Sequence, residues 1–534
     1  PKPTATAVPK ATTGTIPGTK ITVAAFSIGR TTQEAVESPY DASRPGSNLT
    51  KDDILLISPD GTLIPHVLKS WDFGAGTKSW TLNMRDDIAF PAYNRNANSD
   101  DLIWSIYEGH WTGFKSGGST SRSFQTSVPT AVDAHTVKIE FEQATFGVAY
   151  DGFTVREETT HLTPAKELLE MGAGDSTAGW AAFMALEPGP ISSGAYQYVR
   201  QVPQEFNEYK VNTKWFGPAP DFEKFIFQEV KEPGTRLALL ATEKADVINL
   251  SAPTLKQAAV IDHNKVLANP SSVFVQFFFL NLWEEGHPAY DASVIFLNKD
   301  VRTAFNTSVN RAEINEVIYG GKSNHQDAPI LNPVKFAWDH PIVKEMRDNP
   351  IPYDIAGAKA LLSGAGVDLT KEIHAAQRGA SSAVPEWPEL NEAVVNGWIK
   401  DLGANVVLEQ TKENVYSQLH DGKGVKWVLW GGERIGGAGR HSLGPARYFG
   451  PGSVNFAASH WDQISDMREM ALGAADMDTY KEWNAKISKF QRDEALMIPL
   501  MVNPIYYGAN KNRVESWPMT PGITREHYME HIRA

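Results

Sequence analysis

The chain has 534 residues, too many for one hydrophobic core, and its 42% apolar content is enough to fill two or three. Its 63 acidic and 50 basic side chains leave a net charge of -13, which repels phosphate backbones and anionic membrane surfaces, so nucleic acid is not an expected partner. Cysteine is absent, which removes disulfides, thiolate metal sites and cysteine nucleophiles, and no run approaches the roughly 18 apolar residues that cross a bilayer.

Residues 1–18 are rich in Pro, Thr and Ala without apolar periodicity, the composition of an extended tether. The first residue is Pro1 and not Met, and the expectation is a processed lipoprotein whose signal peptide and lipidated cysteine lie upstream. Strand character follows at 21–26, 80–84, 136–141, 224–230 and 405–408, and 273–283 is an apolar run of strand length. Apolar positions at helical spacing mark 155–172, 234–242, 301–318, 388–402 and 459–496. The last of these carries Met467, Met470, Ala471, Ala474, Tyr480, Trp483, Ile487 and Phe490, a stripe that reads as core packing. No period of about 20 to 50 residues repeats, which excludes solenoids and propellers, and the mixture of elements predicts an α/β or α+β fold.

Four motifs suggest chemistry and do not carry it. His527 and His531 enclose an H-x-x-E-H pattern, in which two histidines one helical turn apart hold zinc beside a glutamate. A catalytic zinc needs a third protein ligand, and only three residues follow His531, so no metal is expected. Residues 320–323 (GGKS) resemble the end of a phosphate-binding loop, but Glu316 stands where its first glycine is required, and the segment reads as a turn closing a helix over 310–319. Gly452 and Ser453 are not followed by the x-Gly of a nucleophile elbow, and the glycines at 431–432 and 436–439 lack dinucleotide spacing. No catalytic residue and no cofactor is assigned, and an enzyme is not expected.

The candidate binding constellation is Trp430, Gly431 and Glu433, followed by Arg434, Arg440, Arg447, Tyr448, Asn455 and Phe456. The residues alone leave two readings open: a carboxylate poised in a cleft, or a buried strand over 425–430 with Glu433 solvated after it. Trp430 is equally an indole of the core or a platform for a ligand. The chain has 15 tryptophans, and Trp104 with Trp111, Trp387 with Trp398, and Trp427 with Trp430 form clusters whose flat rings suit sugar faces as well as peptide side chains.

Residues 191–196 (ISSGAY), 212–220 (NTKWFGPAP) and 244–248 (KADVI) occur in the order of a turn opening a strand, an "N..Y/W.G.P" turn, and a "G-x-(A)-D-hydrophobic" strand. Residues 63–71 (LIPHVLKSW) and 80–85 (WTLNMR) lie upstream; 277–282 (FFFLNL), 300–305 (DVRTAF), 310–314 (NRAEI) and 497–500 (MIPL) lie downstream. Together these segments, over roughly residues 50 to 510, resemble the extracellular solute-binding proteins of family 5. The chain departs from the family pattern after Arg85 and has Ala195 where the family's first turn has proline.

The resemblance implies an α/β, two-lobed periplasmic-binding-protein fold of type II, of the large cluster C kind, with an extra subdomain in lobe one. Lobe one would span 19–272 with 502–534, residues 56–189 being its subdomain, and lobe two 273–501. Crossings near 277–282 and 499–503 would serve as hinge. The implied function is the substrate-binding component of an ABC importer that captures an oligopeptide-like solute by cleft closure; the alternatives are an oligosaccharide or, further off, a hydrolytic role. Its partners would be the small-molecule ligand and a membrane permease, its state a monomer, and its location periplasmic or extracellular. In peptide-binding members the carboxylate of a "W-x-x-D" segment receives the ligand's α-ammonium, and Trp430 and Glu433 stand at those positions. Gly431, Arg434, Arg447, Tyr448, Asn455, Phe456 and Phe26 would line the same cleft.

Overall fold

The structure is a computed structural model that describes residues 14–25, 49–57, 63–74, 78–107, 127–144, 146, 162–172, 182, 186, 193–280, 282–283, 285–286, 290–323, 340–377, 386–410, 427–433, 461–517 and 529–534. At 252, 269–276, 278, 432–433, 461 and 502–505 the description is of the backbone alone.

β1 (Ile16–Ala25) starts inside the stretch expected to be a tether. Thr15 Oγ1 donates to the Pro220 carbonyl at 2.8 Å and Ile16 N to that of Asp221 at 2.9 Å, so residues 15–18 belong to the sheet. A hairpin of β2 (Leu55–Ile57) and β3 (Leu63–Pro65) leads into β4 (Leu68–Asp72) and β5 (Ser79–Met84). The short strands β6 (Ala89–Phe90) and β7 (Arg95–Asn96), helix α1 (Ser99–Tyr107), β8 (Val128–Asp133) and β9 (Thr136–Glu140) follow. Strands β4, β5, β9 and β8, in that order, make a four-stranded antiparallel sheet. Alternation in β5 puts Trp80, Leu82 and Met84 inside, as a half-buried strand requires. Of the helix expected over 155–172, only α2 (Ala165–Glu170) is helical; Pro164 caps its start, accepting Leu168 N at 3.1 Å, and 155–161 lie outside the described residues.

The chain then lays down β10 (Tyr196–Val202), β11 (Phe206–Val211), β12 (Phe222–Glu229), α3 (Pro233–Ala241), β13 (Val247–Leu250), α4 (Leu255–Ala259) and β14 (Asn264–Phe279). After it come α5 (Lys299–Thr307), α6 (Arg311–Tyr319), α7 (Pro341–Asp348), α8 (Ile355–Ala365), β15 (Ile373–Gln377), α9 (Trp387–Leu402), β16 (Val406–Gln410), β17 (Leu429–Glu433), α10 (Trp461–Leu472), α11 (Met477–Asp493) and β18 (Met497–Asn510). One ten-stranded sheet collects β10-β11-β12-β1-β13-β18-β14-β17-β15-β16.

Two expected helices are each a pair. Asn310 accepts the Glu313 N–H through its side chain and starts α6 afresh after α5 has ended at Thr307. Asp476 caps α11 by accepting from Thr479 N, after α10 has ended at Leu472. The apolar stripe runs through both breaks because both halves bury the same side. Ala471, Ala474, Tyr480 and Ile487 are buried and Met467, Trp483 and Phe490 pack against the core, but Met470 is 52% exposed and is not part of it. Gly320, at φ 58°, closes α6 in the left-handed conformation that favours glycine, so the GGKS segment is a helix-ending turn. The described end of the H-x-x-E-H segment, Met529–His531, is a 3-10 turn and not the α-helix that would align two histidines.

β14 and β18 hold the large sheet together. The C-terminal part of β18, residues 506–509, pairs with β13, and the C-terminal part of β14, residues 276–279, pairs with β17. Between these ends, 269–275 and 501–505 pair only with each other, leaving a waist two strands wide. The register slips inside it, where Asn269 faces Ile505 but Ser272 faces Pro504, so Pro270 and Ser271 are extra residues on β14.

Two polar joints fasten the first half. Asp246, before β13, accepts Thr22 N at 2.8 Å and Arg513 Nε at 3.1 Å, tying β1 to the segment after β18. Asp52, 2% exposed, accepts His66 Nε2 and Trp215 Nε1, both at 3.0 Å. Beside it, burial pulls the Lys51 ammonium down to about 8 against the opposing pull of Asp53.

Asp246→Ala removes the acceptor of two charge-assisted bonds and should cost about 2–4 kcal/mol in urea denaturation; a midpoint equal to wild type would show that the joint carries no stability. For Lys51 the unfolded chain keeps its proton up to about 10.5 and the folded chain releases it near 8. Between those values the unfolded state binds more protons, so stability rises with pH across that window and the full cost is present below it. Urea midpoints at pH 7.5 and pH 10 should show this rise, on the order of 2–3 kcal/mol, in wild type relative to Lys51→Met; parallel pH curves for the two proteins would refute it.

Candidate functional site

β17 carries the expected constellation as a central strand. It lies antiparallel to β14 and parallel to β15, with Leu429, Trp430 and Gly431 facing Phe279, Phe278 and Phe277 on one side and Ala375, Ala376 and Gln377 on the other. The next partner of β14 is Glu433, opposite Gln276, so Gly432 is a bulged residue that opposes nothing on either neighbour. On the other edge of β14, Gln276 faces Pro499 and Val275 faces Met501, so Leu500 is bulged as well. Two bulges thus flank Gln276 from opposite sides. Bulges bend strands and re-aim backbone groups, and they recur beside binding sites.

The row is braced from below by Arg311, 5% exposed. Its Nε donates to the Pro499 carbonyl at 2.8 Å, its Nη1 to the Asn306 carbonyl at 3.0 Å, and its Nη2 to Asn306 Oδ1. All three acceptors are neutral, and burial alone pulls the guanidinium down to about 9, which leaves it charged at neutral pH. Pro499 has no N–H to give to a ladder, and its carbonyl is fixed by the arginine instead.

Gly431 is required by space. A methyl group built on its Cα would come within 2.2 Å of the Phe277 ring and 2.8 Å of Asn391 Cγ. Asn391, on α9, is 0% exposed, and neither amide atom finds a hydrogen-bond partner among the described residues. Around it lies an aromatic layer: Phe277 and Trp398 have ring centroids 5.5 Å apart, Trp398 meets Phe305 at 5.2 Å, and Trp398 Nε1 donates to the Phe305 carbonyl at 3.0 Å.

Of the expected site residues, the structure brings Trp430, Gly431 and the backbone of Glu433 together on β17. Arg434, Arg447, Tyr448, Asn455 and Phe456 lie outside the described residues, as do Arg440 and Phe26. Trp430 is 1% exposed and belongs to the core, as do Trp387 and Trp398, so these rings brace the strand and offer no face to a ligand in this arrangement. Trp104 is also buried, Trp427 donates its Nε1 to Glu409 at 3.2 Å, and Trp111 is outside the described residues. Asn391 and Arg311 were not anticipated as part of the site. The signal for Asn391 was an amide on the apolar stripe of Trp387, Leu390, Val394 and Trp398. Among the described residues no group of three or more His, Asp or Glu could hold a metal, and no helix is long and apolar enough to cross a membrane.

Comparison with known proteins agrees with this architecture. NikA from Brucella suis, in complex with Fe(III)-EDTA, superposes with a TM-score of 0.74 at 16% identity, covering 96% of this chain and 99% of that one. A dipeptide-binding protein from Pseudoalteromonas sp. SM9913 with Met-Leu bound gives 0.75 at 15% identity, over 96% and 99%. The oligopeptide-binding protein AppA from Bacillus subtilis with a nonapeptide gives 0.74 at 15%, over 96% and 97%. These likenesses establish the α/β two-lobed periplasmic-binding-protein fold. A glutathione-binding protein of Pectobacterium atrosepticum is 26% identical over 179 residues, 33% of this chain, and the match spans 31% of the relative's length. The sequence profile of the bacterial extracellular solute-binding proteins, family 5 middle region, matches residues 62–436, well over half of the chain. The chain therefore belongs to the bacterial extracellular solute-binding proteins of family 5.

Proposed function

We propose that this protein is the substrate-binding component of an ABC importer and captures an oligopeptide-like solute between two lobes. Lobe one comprises 19–272, joined at its start by residues 15–18, with 502–534; residues 56–189 are its subdomain, and lobe two is 273–501. The lobes close by bending the two-strand waist, where the extra residues Pro270 and Ser271 and the donor-free Pro504 leave fewer ladder bonds to resist a change of angle. The chain acts outside the cytoplasm, held by a lipidated cysteine upstream of Pro1, and delivers its solute to a membrane permease as a monomer.

The observation that carries the reading is the register of Glu433 with Gln276, in the row where bulges on β17 and β18 flank β14. That row adjoins the waist, where a ligand touching both lobes would sit. Glu433 replaces the family's aspartate and offers its carboxylate to the α-ammonium of a peptide, a charge that is costly to bury without a partner. Arg434 and Arg447 receive the opposite terminus through bidentate pairing, and Tyr448, Asn455, Phe456 and Phe26 complete the lining. The relatives whose names state a glutathione, a dipeptide and a nonapeptide support a peptide-like cargo. The oligosaccharide alternative leaned on tryptophan faces, and burial of Trp387, Trp398 and Trp430 takes that support away. A hydrolytic role has no support in a family of binding proteins.

Calorimetric titration with tri-alanine tests the anchor. Glu433→Gln should weaken binding by roughly 1.5–3 kcal/mol, and N-acetyl-tri-alanine should bind poorly even to the wild type. Equal affinity for the free and acetylated peptides would remove Glu433 from the site.

A further inference from the structure

Asn391 presents an amide to the inside of the protein at 0% exposure, with neither Oδ1 nor Nδ2 bonded among the described residues. It is a polar side chain on a face of α9 otherwise made of Trp387, Leu390, Val394, Val395 and Trp398. Buried amides in folded proteins are nearly always bonded, and one that is not marks a strain reservoir or a role in another state. The backbone beside it supplies the complementary feature. Asn391 Cγ lies against Gly431, and the next residue, Gly432, pairs with neither β14 nor β15. An unsatisfied donor and acceptor on α9 therefore lie against Gly431, next to the bulged Gly432 and two residues before Glu433.

We infer that Asn391 is a positioning residue for the solute anchor: when solute docks, β17 shifts at its bulge, the Asn391 amide bonds the Gly432 peptide unit, and Glu433 is fixed in its binding position. This rests on the proposed binding function. The new bonds support that position of β17 whether or not solute is present, and the solute, which the fixed Glu433 contacts only there, adds the preference that populates it, so the solute selects between two positions of one strand. Gly431 keeps the amide close to the strand, because any side chain there would meet Phe277 and Asn391. A leucine at 391 keeps the branched shape, removes the unpaired amide and cannot make the bonds. It should strengthen the free fold and weaken solute binding, two effects of opposite sign that a plain core role would not produce together.

The test titrates wild type, Asn391→Leu and Glu433→Gln with tri-, tetra- and penta-alanine by calorimetry, alongside thermal unfolding of each free protein. Asn391→Leu should melt several degrees higher than wild type and bind the preferred peptide about tenfold or more weakly. Amide hydrogen exchange on the wild type supplies a readout that needs no variant to fold: exchange at Gly432 and Glu433 should slow when the peptide binds. Unchanged affinity in Asn391→Leu, with Glu433→Gln weakened, would overturn the inference and leave the peptide reading standing, as would unchanged exchange at Gly432. A wild type that binds none of the three peptides would overturn both.

Discussion

The pairing of β14 with β18 is the constraint from which the rest of the molecule follows. Strands of 16 and 14 residues are long for a globular protein, and these two are long because each serves both halves of the sheet. Their composition fits the duty. Pro270, Pro499 and Pro504 would each break a central strand, since proline has no N–H to donate. All three lie where β14 or β18 has only the other as a partner, so the missing donor can face away from the ladder. Sequence and topology agree here: Pro270 and Pro504 stand in the waist itself, and Pro499 just outside it, where β18 is an edge.

Around this ribbon the protein uses buried guanidinium groups to satisfy carbonyls that strands and helices leave over. Arg236 donates to the carbonyls of Val230, Lys231 and Asn249, and Arg302 to those of Phe296, Leu297 and Glu494. Arg311 does the same for Pro499 and Asn306 at the bulged row. The planar fork of an arginine suits this work because its five N–H groups reach several acceptors from one rigid plane. The chain is acidic overall, yet these interior charges are positive and bonded largely to backbone oxygens. One of these braces, Arg311, supports the row that carries Glu433, while the waist next to it is only two strands wide.

Much of the local structure was legible from residue patterns. Alternation located β5 and β9 to within a residue, and apolar spacing located α3 and α9 to within a residue. The breaks between α5 and α6 and between α10 and α11 were missed because periodicity averages across them. The capping side chains Asn310 and Asp476 were visible in the sequence and, read as starts, would have divided both helices. The start of β1 was missed because residues 15–18 have the composition of a linker and gain their order only from partners at 220–224. The site was legible only through its resemblance to a family. A bulge at Gly432 is a relation between strands distant in sequence, and no local pattern announces it. Tryptophan clusters suggested open platforms because sequence gives ring chemistry without burial, and the fold turned Trp387, Trp398 and Trp430 inward.

The position of β18 in the chain has a consequence for how the protein is made. This strand sits near the middle of the sheet yet is made well after both of its neighbours, and it pairs Asn264 with Asn510 and Val247 with Ala509. Contacts so remote in sequence cannot form until all the chain between them is available, and they make folding slow. While the chain emerges, β13 and β14 have no β18 to lie against, so the large sheet stays incomplete until residues 497–510 have been made. The large sheet therefore closes only after everything between β14 and β18 has been made, and its two central strands are the last pair that can form.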